Sequence, residues 1–243
     1  MFEPLSAYRI HAHNAFTLLT SDVNDELVTT IFDQSRMEGA DNSIFVGYRA
    51  RVRKFGGITI SGDNNTIFIG QNANLAQVLI NINGSNNIIY IGGMTTIGSG
   101  EFQIRDNGGT IIVGDHCMFA ARIAIGSSGP CTTYDRLSGD RKSAQSRTTV
   151  GDHVWLGRDV RIRPGAAVGS DSIVGQMSIV SGIFNSNSIL NGQPASLIRG
   201  GVNWDRRMSD TLEQAYATNH YKQLHLKIVA QYDDHIASLL EIH

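Results

Sequence analysis

The sequence predicts a mainly β fold, a parallel β-helix, from two repeats and the composition at fixed places within them. From residue 150 to 180 an aliphatic residue opens every block of six: Val150, Leu156, Ile162, Val168, Val174 and Val180. The fifth place is small or β-branched (Val154, Val160, Ala166, Ser172, Ser178), and glycine follows the aliphatic residue at Gly151, Gly157, Gly169 and Gly175. A helix repeats near 3.6 residues and a half-buried strand every two, so six fits neither. It fits a triangular coil in which each side is one short strand plus its corner. The aliphatic residue then fills the core, the small residue lies beside it, and glycine is expected to ease the corner where the backbone turns.

Taken in order, residues 1–38 show no repeat. Leu18, Leu19, Val23, Leu27, Val28 and Ile31 suggest an N-terminal cap that covers the first coil, as solenoid ends require. From residue 39 a longer repeat begins. Segments 39–47, 62–70 and 84–92 each run from glycine through Asn-rich positions and a large apolar triplet to a second glycine, and 108–114 is a shorter version. Their phase marks Val46, Ile69, Ile91 and Val113 are 23, 22 and 22 residues apart, one coil with extra residues at a corner. Asn64, Asn65, Asn86 and Asn87 are expected to be structural corner residues, because Asn tolerates left-handed backbone angles.

The repeat breaks between Ile125 and Val150, where 24 polar residues (126–149) intervene. A solenoid does not need that excursion for stability, and long loops on regular scaffolds commonly carry function. After Val180 the sixes fade, and the β-helix domain is taken to run from 39 to 203. The remainder, 204–243, has apolar residues at Met208, Leu212, Ala215, Leu224, Ile228, Tyr232 and Ile236, which reads as a C-terminal helical segment.

Composition sets further bounds. A formal net charge of −2 with no basic cluster gives no reason to invoke nucleic acid. No apolar run is long enough to span a bilayer, and the start shows no basic-then-apolar leader, so the expectation is a cytoplasmic protein with no membrane span. Two cysteines, Cys117 and Cys131, make no disulfide framework; Cys117 lies in the interior phase and is expected to be a buried thiol.

Segments ValGlyAspHisValTrpLeuGly (150–157), ProGlyAla (164–166) and AsnGlyGlnProAlaSerLeuIleArg (191–199), in this order after a polar loop, resemble the hexapeptide-repeat acyltransferases. The nearest likeness is to the branch that O-acetylates sugars and polysaccharides, over residues 41–206. The resemblance implies a left-handed coil, against the usual crossover hand. It also implies a homotrimer with acyl-CoA lying between subunits, and a saccharide acceptor whose hydroxyl is deprotonated by a loop histidine to attack the thioester of acetyl-CoA.

In this loop the TyrAsp element is Tyr134–Asp135 and the GlyXArg element is 139–141, so the family histidine falls on Cys131, and the loop holds no histidine. A thiolate can act as base or nucleophile when its surroundings favour it. The alternative is a homologue that has lost catalysis and serves as a binding or assembly subunit. Among other candidates, His116 and His153 occupy equivalent corner phases and are expected to face outward; His153, two residues before Trp155, is a second catalytic candidate. The resemblance implies that Trp155 walls the acceptor or thioester, and that Arg158, Gln176 and Arg199 line the coenzyme site, Arg199 meeting a CoA phosphate. Relatives often have small residues where Gln176 and Met177 stand, and a ThrLys that this chain lacks. Zinc, as in the β-helical carbonic anhydrases, would need three histidines with two closely spaced, and the coil histidines here are isolated, so no metal is expected.

Overall fold

The computed structural model describes residues 6–10, 14–19, 31, 33–129, 132–142 and 147–206. Their strands form three long sheets, of nine, eight and seven strands, and each turn of the chain adds one strand to each sheet. The pairing along the coils is parallel, and the phase marks read from sequence lie on one ladder. Val46 pairs with Ile69, then Ile91, Val113, Val150, Val168 and Phe184 in succession. A β-solenoid with hexapeptide turns is therefore the architecture, as the period of six requires.

The interior follows the pattern position by position. Val150, Leu156, Ile162, Val168, Val174 and Val180 are all at most 2 % exposed, and Val154, Val160, Ala166, Ser172 and Ser178 are wholly buried. Each aliphatic side chain so placed contributes about 1.5–3 kcal/mol of burial free energy. The small fifth residue lets neighbouring faces approach closely.

Glycine's role differs from the expectation. Gly151, Gly157, Gly169 and Gly175 do not take left-handed angles; the residue two places on does, at His153, Asp159, Asp171 and Met177, with φ between 53° and 62°. The glycines are required by stacking instead. A Cβ on Gly169 would lie 2.3 Å from the amide nitrogen of Ser186 in the next coil, and one on Gly151 would lie 2.7 Å from that of Ser170. At these four corners the glycine serves close approach of coils and the bend falls on the residue after next.

The asparagine pairs divide in the same way. Asn64 and Asn86 take φ of 54° and 60°, as expected of corner residues. Asn65 and Asn87 are wholly buried and belong to a ladder that climbs the inside of the corner through Asn14, Asn42, Asn65 and Asn87. Each amide donates to the oxygen of the residue one coil below while that oxygen also accepts a backbone N–H, as at Asn65 and Asn87. Buried polar groups survive only when paired, and here each rung satisfies the next.

Outward on the first face, Phe45, Phe68, Tyr90 and Ile112 form an apolar column that is nonetheless buried, with Phe68 and Tyr90 stacked at 4.9 Å. Burial pushes the Tyr90 phenol up from its ordinary value, helped by Asp115 and Asp152. Residues 6–10 and 14–19 add two strands to this face, 6–10 antiparallel to 14–19, and 14–19 parallel to 43–47. At the other end, 188–192 turns back antiparallel through 195–200. The expected C-terminal helices, from residue 207 onward, lie outside the described residues.

The polar excursion leaves after Gly126 and carries a short antiparallel hairpin, 133–134 against 141–142. It returns earlier than its composition suggests: Arg147–Val150 is already a strand of the first face, with Thr148 wholly buried and its hydroxyl donating to the Gly126 carbonyl. Two threonines read as loop in sequence, yet their β-branched side chains suit a strand.

Candidate active site

Left-handed corner residues stack between the first and second faces, and two of them form a titratable pair. His153 and Asp171 occupy equivalent corners one coil apart, which the eighteen-residue spacing, three blocks of six, makes legible in sequence. The Nδ1 of His153 lies 2.9 Å from Oδ1 of Asp171. A carboxylate at this distance accepts from Nδ1–H, which fixes the ring orientation and leaves the Nε2 lone pair as the basic site of the neutral ring.

His153 does not simply face outward as expected. Its ring lies flat on Trp204, centroids 4.2 Å apart and planes 8° apart, and the Trp204 indole N–H donates to the His153 carbonyl at 2.8 Å. Asn203 adds a donor to Asp171 at 3.3 Å. Nothing periodic in the sequence pointed to Trp204, because it arrives after the repeats have ended. His116, one coil earlier, is half-buried, and burial, with His153 and Arg206 nearby, holds its pKa below the usual imidazole value.

Trp155 stands on the outer side of the second face, between Met118 and Ile173 in the ladder, and is 39 % exposed. Its ring tilts against Trp204 at 6.0 Å, so His153, Trp155 and Trp204 make one aromatic wall with a carboxylate-oriented imidazole at its edge. Arg206 donates to the Cys117 carbonyl at 3.0 Å and pins the end of this segment to the coils. Cys117 is the buried thiol expected. It is fully enclosed, its Sγ 3.1 Å from the Gly151 carbonyl, and burial pushes its pKa far up, so it is not a nucleophile at neutral pH.

The other sequence candidates sit elsewhere. Arg158 and Gln176 are exposed at the corner between the second and third faces, where the Met177 amide donates to the Arg158 carbonyl and a Cβ on Gly157 would lie 2.7 Å from the Gln176 nitrogen. Beside them Arg122 and Asp159 form a bidentate pair with both separations 2.5 Å, and Arg122 draws the Asp159 pKa down. Arg199 is exposed on the terminal hairpin, opposite Ile189. Cys131 lies outside the described residues. Gly129 and Thr132 on either side of it line a recess of about 420 Å³ at the base of the loop, at the corner between the third and first faces. One chain therefore brings His153 and Trp155 together, and sets Arg158 with Gln176 at another corner and the recess beside Gly129 and Thr132 at a third.

A three-faced parallel β-solenoid with a polar loop extruded between two of its coils is the fold of the hexapeptide-repeat acetyltransferases, and this chain has it. Its relatives are sugar O-acetyltransferases. The polysialic acid O-acetyltransferase of Neisseria meningitidis is 26% identical over 63% of this chain and 67% of its own length. The galactoside O-acetyltransferase of Escherichia coli (strain K12) is 31% identical over 37% of this chain, which spans only 44% of that protein. In three dimensions the polySia-specific acetyltransferase NeuO superposes with a TM-score of 0.68 at 25% identity, covering 80% of this chain and 87% of that one. No family profile matches the chain. Among the described residues no helix is long and apolar enough to cross a membrane, and no cluster of three or more His, Cys, Asp or Glu could hold a metal.

Proposed function

We propose that this protein transfers the acetyl group of acetyl-CoA to a hydroxyl of a saccharide. The observation that supports it most is the co-occurrence of the hexapeptide solenoid, the polar loop opening between its coils, and relatives that are O-acetyltransferases acting on polysialic acid and galactosides. In this reading a base takes the acceptor hydroxyl's proton as its oxygen attacks the thioester carbonyl. The tetrahedral intermediate collapses, the C–S bond breaks, and CoA leaves as a thiolate that the protonated base or water neutralises. Cys131 stands where the family has its base; His153, oriented by Asp171, is the second candidate, and Trp155 walls the reacting groups. Arg158, Gln176 and Arg199 are assigned to acyl-CoA, Arg199 to a phosphate. We assign the reaction to the cytoplasm, in keeping with its use of acetyl-CoA. Incubation with acetyl-CoA and a panel of acidic and neutral oligosaccharides should release free thiol and yield an acetyl ester; no release with any acceptor would favour the binding or assembly role that the missing loop histidine suggests.

A homotrimer completes the proposal, because the described candidates lie apart on one chain, His153 with Trp155 at one corner and Arg158 with Gln176 at another, and need a neighbour to meet. Five apolar side chains stand in solvent on a single chain in keeping with that: Trp155, Met177, Ile183, Leu197 and Ile198. At the loop tip Tyr134 and Leu137 are likewise exposed, Leu137 almost completely. Light scattering at micromolar concentration should give about three times the chain mass, and a monomer would remove the shared groove from the mechanism.

A further inference from the structure

The recess at the base of the loop carries a charge surplus that the overall composition does not. Arg105, Arg141, Lys142 and Arg163 line it against one carboxylate, Asp106. Two of the cations are already matched: Arg141 to Asp106 at 2.6 Å, and Lys142 to Asp135 at 3.3 Å. Arg105 and Arg163 have no acidic partner among the described residues. They come from separate coils, Arg105 just after the strand 100–104 and Arg163 just after 161–162, and converge with the returning hairpin on a concave space of about 420 Å³. Since the whole chain has a net charge of −2, this local excess is not a by-product of a basic protein.

The rest of the lining suits a sugar acid. Ser128, Thr132, Thr133 and Ser181 provide hydroxyls, and Pro164 is the one large apolar side chain. The hydroxyl oxygen of Ser128 accepts from the Arg105 amide at 2.7 Å, which holds the loop's first residues against the coil. Two guanidiniums in a hydroxyl-lined recess match a carboxylate, which accepts paired N–H bonds, beside a polyhydroxylated ring.

We propose that this recess is an acceptor subsite for the carboxylate of an acidic saccharide, held by Arg105 and Arg163. The inference rests on the transferase reading for its meaning, yet it makes a binding claim that stands without turnover. A phosphate of CoA shares the same anionic chemistry, and the test separates the two.

Titration calorimetry of the full chain, without acetyl-CoA, with oligosialic acid and oligogalacturonate and with the carboxyl methyl ester of each, reads the subsite directly. At least one acidic oligomer should bind, its methyl ester at least tenfold more weakly. Arg105→Gln and Arg163→Gln should each weaken the acid by about ten- to a hundredfold, the range for a lost charge-assisted hydrogen bond, and should blunt its salt dependence. Arg51→Gln, on the second face, should leave it unchanged, and all variants should melt with the wild type. Failure of every acidic oligomer to bind, equal binding of acid and ester, or indifference to both substitutions would overturn the proposal. If instead the two variants lose affinity for acetyl-CoA but not for the oligomer, and 3′-dephospho-CoA or its pyrophosphate accounts for the loss, the anion is the coenzyme's and the carboxylate assignment is wrong. A chain that binds the acid but releases no thiol keeps this subsite and loses the transferase reading.

Discussion

Replacing Cys131 with alanine is expected to lower kcat by about two to four orders of magnitude, the contribution typical of a general base. Saccharide and acetyl-CoA affinities should change little, because the thiol's proposed role is proton transfer and not binding. Cys131→His should keep or raise activity, since imidazole titrates near neutrality and the family holds a histidine at this place. The four-way comparison of wild type, Cys131→Ala, Cys131→His and His153→Ala, measured as thiol release at saturating substrates, assigns the base. Full activity in Cys131→Ala together with loss in His153→Ala would move the chemistry to the Asp171-oriented imidazole. Activity appearing only in Cys131→His would mean a scaffold that has lost its base.

The largest effect on stability is expected inside the asparagine ladder. Asn65→Ala removes the donations to the Asn42 oxygen and the Gly84 carbonyl, both 2.9 Å, and the acceptor for the Asn87 amide and side chain. Stranding several fully buried groups should cost about 3–5 kcal/mol, at one to three per unsatisfied group with partial relaxation. Its neighbour Asn64 is exposed at φ 54°, and Asn64→Ala should cost only about 1 kcal/mol, the strain of an alanine in the left-handed region. Urea unfolding of the two variants reads the contrast directly. Equal losses would mean that the ladder contributes nothing beyond the corner conformation.

That contrast marks where the sequence was legible. The core column from Val46 to Val168, the small residues beside it and the buried Cys117 follow from period alone, because a solenoid repeats each environment at each turn. The same regularity hid a difference between adjacent asparagines: a repeat reports that a position is constrained but not whether its side chain points in or out at a corner. It likewise credited Gly151, Gly157, Gly169 and Gly175 with the bend, when the bend there belongs to the residue after next and the glycine answers to the adjoining coil. Resuming the strand at Arg147 was invisible because polarity was read where β-branching governed.

The candidate site was legible only in its repeating half. His153 was singled out by its place in the hexads, Trp155, Arg158 and Gln176 by the family resemblance, and Asp171 could have been singled out three blocks after His153. Trp204 and the unmatched pair Arg105 and Arg163 could not. Trp204 reaches His153 from 51 residues away, and the two arginines meet across two coils and a loop, with no period linking them. The sequence by itself determined the coil, its core and the point at which the loop leaves, since these depend on local spacing repeated many times. Which side chains share a corner, which histidine gains a carboxylate and which guanidiniums lack one were decided only by the tertiary structure, because such partnerships arise where the chain leaves its repeat and folds back on it.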